Sequence, residues 1–322
     1  MKRKWFDLIL KHPGAILLEK SQQNKFITNL INALSCDELK KSVESLKNIV
    51  AAKKEAIMPE RIYAAHMLQK VLGNKLVAND INWRVEQLKF LLNFAIFKSN
   101  DGVSLVQDAE LDANVSKELT PSLKNIFFHC LEHKFSKLED ERRQLFALVE
   151  YIHGVLGKKH PNKHLNLHLK DNQLNAWKKM YEQTSLPIKK NKNQMIVFHV
   201  LLLHMGLQLF NQAEVAESAL NELHSVIKRV STNKNDATDE PEWIEVVVDL
   251  FLNLLSQNSV VLRNVIRHVY PQLCGEISLT AFHQILTLLD LSSEENPLQA
   301  GAEVESDEED GNFKKFFSKI LY

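Results

Sequence analysis

The chain has 322 residues, 45% hydrophobic and 25% charged, with 40 basic side chains balanced by 40 acidic ones. A chain of this length buries a core without disulfides or a structural metal, which excludes small stapled scaffolds. Nine glycines and eight prolines are too few for the turns of sandwiches, barrels or Rossmann-type sheets, and helices remain.

The N-terminus is basic through Lys2, Arg3 and Lys4, but Asp7, Lys11 and His12 interrupt it before a signal-peptide core can form. No secretion signal is expected. Cys36, Cys130 and Cys274 are an odd set spread along the chain, which argues against a disulfide framework and for a reducing compartment. Apolar residues recur at helical spacing almost everywhere, with no sustained alternation of period two. The pattern predicts helices over 3–11, 22–34, 36–53, 60–72, 81–98, 121–137, 139–156, 171–184, 193–211, 213–230, 242–256, 260–273 and 279–290.

Several of these starts and stops have a local mechanism. Ser35 and Glu38 have the spacing of a capping box, followed by Leu39, Val43, Leu46 and Val50 on one stripe. Thr120 and Pro121 read as an N-cap and first helical residue. Met58-Pro59, Ser259 and Ser278 offer weaker starts, and Gly73, Gly157 and Gly275 stand where helices should stop. The apolar stretch from Met195 to Phe210 is shorter than the roughly 20 residues of a membrane span and carries His199, His204 and Gln208. It reads as a buried core helix.

Paired helices with short links, each too narrow to bury its own apolar face, predict an all-α armadillo- or HEAT-like helical-repeat solenoid over residues 1–290. The unit length drifts between about 35 and 50 residues, so one irregular helical domain is the competing arrangement. Interruptions fall at Asn100-Asp101-Gly102, at the His- and Lys-rich stretch 158–169, and at the polar stretch 231–240. Residues 291–312 hold eight acidic and no basic side chains, and three lysines follow by residue 322. A disordered acidic tail over 291–322 with a short basic and aromatic end is expected. The first 290 residues then carry 37 basic and 32 acidic residues, a net of +5.

The sharpest catalytic pattern is His129-Cys130-Leu131-Glu132-His133, the H-x-x-E-H spacing of inverted zinc peptidases, which needs both histidines on one helical face. The plainer account is an amphipathic helix buried through Phe127, Phe128, Leu131 and Phe135. His160, His164 and His168 recur every four residues, but Pro161 and neighbouring lysines argue for an exposed loop. No nucleophile elbow, Walker glycine loop or dinucleotide fingerprint is present. The acidic clusters that two-metal chemistry would need fall in expected loops or in the tail. The expectation is therefore a non-enzyme, with no cofactor, no small-molecule substrate and no membrane span.

Basic groups matter as surfaces. Lys189, Lys190 and Lys192 precede the most apolar helix, while Arg263 and Arg267 lie four apart on another. These five are the candidate contacts for a protein partner or nucleic acid, and a net charge of +5 implies only weak, salt-dependent DNA or RNA affinity. Ser292 and Ser306 each have an acidic residue three positions on, the pattern of an acidophilic kinase site.

The segment from Pro241 to Ser259 (PEWIEVVVDLFLNLLSQNS) resembles the W-[IV]-E-V-[LV]-V-[DE] block of the Myb-binding protein 1A and DNA polymerase V (polymerase phi) family. The following VVLRNVIRHVYPQLCGEISLTAFHQILTLLD, the acidic stretch, and the upstream FHVLLLHMGLQLF are similar to that family too. The likeness is good over 190–310 and fainter over 60–155. It implies a nucleolar, armadillo-like scaffold acting in ribosomal RNA synthesis and ribosome assembly, with transcription factors or pre-ribosomal proteins as partners. Gly311 to Tyr322 departs from the family's acidic-to-basic continuation, as a shorter form would, and the family's long basic tail is not matched. The polymerase name brings no catalytic carboxylate motif with it.

Overall fold

The computed structural model describes residues 2–10, 25–51, 57–98, 113–157, 160–188, 192–232, 242–256 and 260–289. Among them are thirteen α-helices: α1 (Lys2–Leu10), α2 (Phe26–Asn32), α3 (Cys36–Ala51), α4 (Met58–Leu72), α5 (Ile81–Ile96), α6 (Ala113–Leu131), α7 (Leu138–Leu156), α8 (Asp171–Ser185), α9 (Lys192–Gln208), α10 (Ala213–Thr232), α11 (Trp243–Ser256), α12 (Val260–Leu273) and α13 (Leu279–Leu289). No β-strand occurs among the described residues, only one isolated bridge between Phe97 and Leu165. The fold is all-α, with neighbouring helices packed on one another in the manner of a helical-repeat solenoid. The chain divides into two compact units, residues 1–171 and residues 172–322.

In the first unit α3 packs on α4, α4 and α5 both pack on α6, and α5 packs on α7. The predicted start of α3 is present. Ser35 N–H donates to Glu38 Oε2 at 3.0 Å, and Glu38 N–H donates back to Ser35 Oγ at 3.4 Å. Leu39, Val43, Leu46 and Val50 are then fully buried, as the stripe requires. Pro59 sits in the first turn of α4, where Glu60 Oε2 accepts the Ile57 N–H at 3.3 Å.

One predicted start is overturned. Pro121 lies inside α6, which begins at Ala113, so Thr120 is not its N-cap. A proline costs about 3 kcal/mol inside a helix. Leu119, Leu123, Ile126 and Phe127, all buried against the first unit's core, offset it. Gly73 and Gly157 close α4 and α7 in the right-handed region, so neither depends on left-handed freedom.

The centre of this unit holds a charge that periodicity does not announce. Arg84 is buried, and its Nε donates to Gln144 Oε1 at 2.7 Å. Its Nη1 and Nη2 donate to the backbone carbonyls of Leu72 and Cys130, in the last turns of α4 and α6. The carbonyls ending two helices lack intrahelical donors and carry partial negative charge, which a guanidinium neutralises. Burial holds the Arg84 pKa below its ordinary value and pushes the neighbouring Cys130 thiol up to about 12. Arg61 repeats the device, donating from Nε to Val50 O at 2.9 Å beside the end of α3.

In the second unit α9 packs on α10 and α12, α10 on α11, and α11 on α12 and α13. Every residue from Ile196 to Phe210 is buried, which bears out the core-helix reading of that stretch. No described helix is long and apolar enough to cross a membrane.

Candidate partner-binding surface

The residues around Trp243 hold the second unit together. The Trp243 ring meets Phe198 of α9 edge-on at 5.8 Å, and Ile244, Val247, Val248 and Phe251 are buried. Glu245 accepts the Glu242 N–H at 3.1 Å through Oε2 and the Ser278 hydroxyl at 2.9 Å through Oε1. Ser278 Oγ in turn accepts the Ala281 N–H at 3.1 Å, so the expected N-cap of α13 is present and is tied to α11. One carboxylate therefore fixes the starts of two helices. Burial first, and Glu245 second, raise the pKa of Asp249 on the next turn.

The glycine of the LHMGLQLF segment has a steric role. A Cβ at Gly206 would fall 2.4 Å from Met180 Cε of α8, closer than non-bonded carbons approach. Trp177, one turn earlier on α8, meets Phe210 edge-on at 5.4 Å. The pattern W…E through α11 and the glycine in α9 are thus packing determinants.

What this core leaves outside is an apolar stripe on α13. Leu279 is 73% exposed, Phe282 39% and Leu286 40%, at positions i, i+3 and i+7 of one helical face. Ala281 and Ile285 supply the buried side. Leu8, Leu76 and Leu186 are exposed apolar residues scattered on other elements, which is ordinary for a protein surface. The stripe was not anticipated from sequence. Its signal was available: seven of the eleven residues of LTAFHQILTLL are apolar, more than one face can bury.

The predicted basic contacts are only partly described. Arg263 is half-buried and Arg267 exposed on α12, which packs against α9. Lys192 opens α9, while Lys189 and Lys190 lie outside the described residues, as do Ser259, Ser292, Ser306, the 100–102 turn, the stretch 233–241 and the acidic tail. On the first unit, Lys40 binds Asp80 at 2.5 Å, Lys47 binds Glu44 at 3.2 Å and Lys89 binds Glu86 at 2.8 Å. These lysines also lie over the rings of Trp83, Phe90 and Tyr151. With a carboxylate on each, they offer phosphate little net charge.

The zinc-peptidase geometry is not formed. Helix α6 ends at Leu131, so Glu132 and His133 leave the helix and the two histidines do not share a helical face. His129 Nδ1 instead lies 3.0 Å from Glu132 Oε1, and His133 stacks edge-on with Phe135 at 4.8 Å. Among the described residues no group of three metal-ligating side chains is assembled. The histidines of the 160–170 loop do not stack either. Leu165 bridges to Phe97, and Asn162 exchanges two 2.9 Å hydrogen bonds with the Leu169 backbone, leaving His160 and His168 exposed.

The sequence model of the DNA polymerase phi family matches residues 6–315. The chain belongs to that family. Membership extends the likeness seen at 190–310 over nearly the whole chain, first unit included. Myb-binding protein 1A of Drosophila melanogaster is 23% identical over 284 residues, 88% of this chain and 25% of that protein. The Myb-binding protein 1A-like protein of Danio rerio is 30% identical over 131 residues, 38% of this chain and 10% of that protein. Myb-binding protein 1A of Rattus norvegicus is 30% identical over 132 residues, covering the same shares. The chain therefore spans a quarter or less of the length of these relatives. No solved structure matches it.

Proposed function

We propose that this chain is a non-enzymatic scaffold of the nucleus and nucleolus, acting in ribosomal RNA transcription and ribosome biogenesis by binding transcription factors or ribosome-assembly proteins. The family match over residues 6–315 carries this reading, because relatives in the family are named for binding Myb. Residues 1–290 serve as the helical body and 291–322 as its acidic tail. The physical chemistry agrees with a docking role. Packed helices present fixed ridges, and the exposed stripe of α13 is the kind of surface a partner helix covers. The H-x-x-E-H residues are split by the end of α6 and supply no hydrolytic centre.

Affinity capture with the full chain from nuclear extract tests it. Enrichment of transcription regulators or ribosome-assembly proteins above a control bait is the expected result; recovery of neither class contradicts it. A second reading, direct nucleic-acid binding, is favoured by Arg263 and Arg267 on one turn of α12. It requires affinity that falls steeply between low and high salt. RNA binding unchanged by salt would remove that reading.

A further inference from the structure

We infer that the loop from His160 to Lys170, together with Lys98, is a contact surface for single-stranded RNA on the first unit. Charge separates this loop from the other basic groups of that unit. No Asp or Glu occurs between Tyr151 and Lys170, and five of the eleven residues of HPNKHLNLHLK are Lys or His. Lys40, Lys47 and Lys89 each hold a carboxylate. Lys98 and Lys163, by contrast, are exposed and have no ion-pair partner among the described residues.

The backbone of the loop is pinned to the end of α5. Lys98 N–H donates to His164 O at 2.9 Å, Asn166 N–H donates to Ile96 O at 2.8 Å, and Asn166 Nδ2 donates to Phe97 O at 3.1 Å. Phe97 and Leu165, paired in this bridge, are buried, so alternation turns Lys98 and His164 to the opposite side. A second clasp closes the loop on itself, where Asn162 exchanges two 2.9 Å hydrogen bonds with Leu169 and its Nδ2 lies 3.5 Å from His168 Nε2. His160 is held at φ 60°, in the left-handed region, with its carbonyl accepting the Lys163 N–H at 3.0 Å. A residue other than glycine keeps that conformation only where its surroundings enforce it, and such residues gather at ligand-binding loops.

The chemistry of the side chains selects the ligand. Lys98 and Lys163 suit phosphate. Alongside them stand the exposed imidazoles of His160 and His168, with Leu167 39% exposed. Rings interleaved with cations fit single-stranded RNA, whose unstacked bases lie on flat side chains while lysines follow the backbone. A duplex hides its base faces and an acidic peptide has none, so neither would use the imidazoles. A loop already fixed in place loses little further freedom on binding. The inference deepens the nucleic-acid reading by assigning a site on the first unit, apart from Arg263 and Arg267 of the second.

Titration of a fluorescent oligouridylate of about twelve nucleotides with the full chain is the test. Two phosphate contacts give a slope near −1.4 in log affinity against log salt, about sevenfold between roughly 50 and 200 mM. The chain carrying Lys98→Ala and Lys163→Ala should lose that part of the salt dependence and bind about tenfold more weakly at low salt. His168→Ala should weaken binding about fivefold for the oligouridylate but not for an abasic strand of the same length, because only the first has bases to stack. Circular dichroism of each variant serves as the control that its helices are folded. The inference is overturned if the lysine variant binds as the unsubstituted chain does, if His168→Ala weakens both strands alike, or if polyglutamate displaces the strand as effectively as RNA does, which assigns the loop to acidic peptides. Loss of binding through Arg263→Ala and Arg267→Ala alone keeps the nucleic-acid reading and removes this one; RNA left unbound by the unsubstituted chain removes both.

Discussion

The two units solve the problem of ending helices differently. In the first, residues 1–171, buried guanidiniums reach across the core to helix termini: Arg84 joins the ends of α4 and α6 to Gln144, and Arg61 meets the end of α3. In the second, residues 172–322, the buried stretch of α9 from Ile196 to Gln208 and ring pairs such as Phe198–Trp243 hold the helices through apolar contact, and a carboxylate, Glu245, joins the starts of α11 and α13. A hydrogen-bonded charge demands one arrangement of its partners, whereas apolar contact tolerates rearrangement. The first unit therefore carries a clasp that fixes one arrangement of its helix ends. The second, with its apolar surplus on α13, has the surface that a further helix can join.

The contrast breaks most visibly at Arg84. Replacing it with Ala leaves two helix-terminal carbonyls and Gln144 Oε1 buried without a donor and opens a cavity, at a cost of about 4 kcal/mol. Urea unfolding should show that loss. Arg84→Lys should recover only part of it, because an ammonium cannot reproduce the fork. A loss below about 1 kcal/mol would mean the clasp is incidental.

Gly206 offers a smaller test in the apolar unit. Gly206→Ala gains about 1 kcal/mol of helix propensity but must displace buried Met180, at about 1–3 kcal/mol. A net destabilisation of up to about 2 kcal/mol is expected. Combined with Met180→Ala, the loss should be less than the sum of the single losses, since the clash disappears. Additive losses would show that the two side chains do not meet.

Weakest is the pH response of the same unit. His224 Nδ1 lies 2.5 Å from Gln183 Oε1, and burial first, then Lys179, hold its pKa below the ordinary imidazole value. The unfolded imidazole takes up a proton near pH 6.5 while the folded one resists, so stability falls as pH drops from about 7 toward 5. His224→Gln keeps a donor for Gln183 and removes the titration. Melting temperature should fall less steeply with acid in that variant than in the unsubstituted chain; equal slopes would refute the assignment.

Helix positions were largely legible because their apolar stripes repeat at the helical period, and Ser35, Ser278, Gly73 and Gly157 mark boundaries by local chemistry. Pro121 misled for a physical reason: Thr-Pro satisfies the rules for a helix start, and only packing against the first unit's core tells that the helix is already running. Arg84 was invisible, since a buried arginine declares itself through carbonyls that are distant in sequence. The H-x-x-E-H spacing presupposed a helix that stops two residues too soon. On α13 the apolar excess was readable, but which side chains stay outside depends on how Glu245 and Ser278 seat the helix.

The most direct measurement for the central claim is proximity labelling in cells with the full chain fused to a labelling enzyme. The account predicts nuclear and nucleolar neighbours enriched in transcription regulators and ribosome-assembly proteins. Labelling confined to proteins outside the nucleus, with neither class enriched, would contradict it.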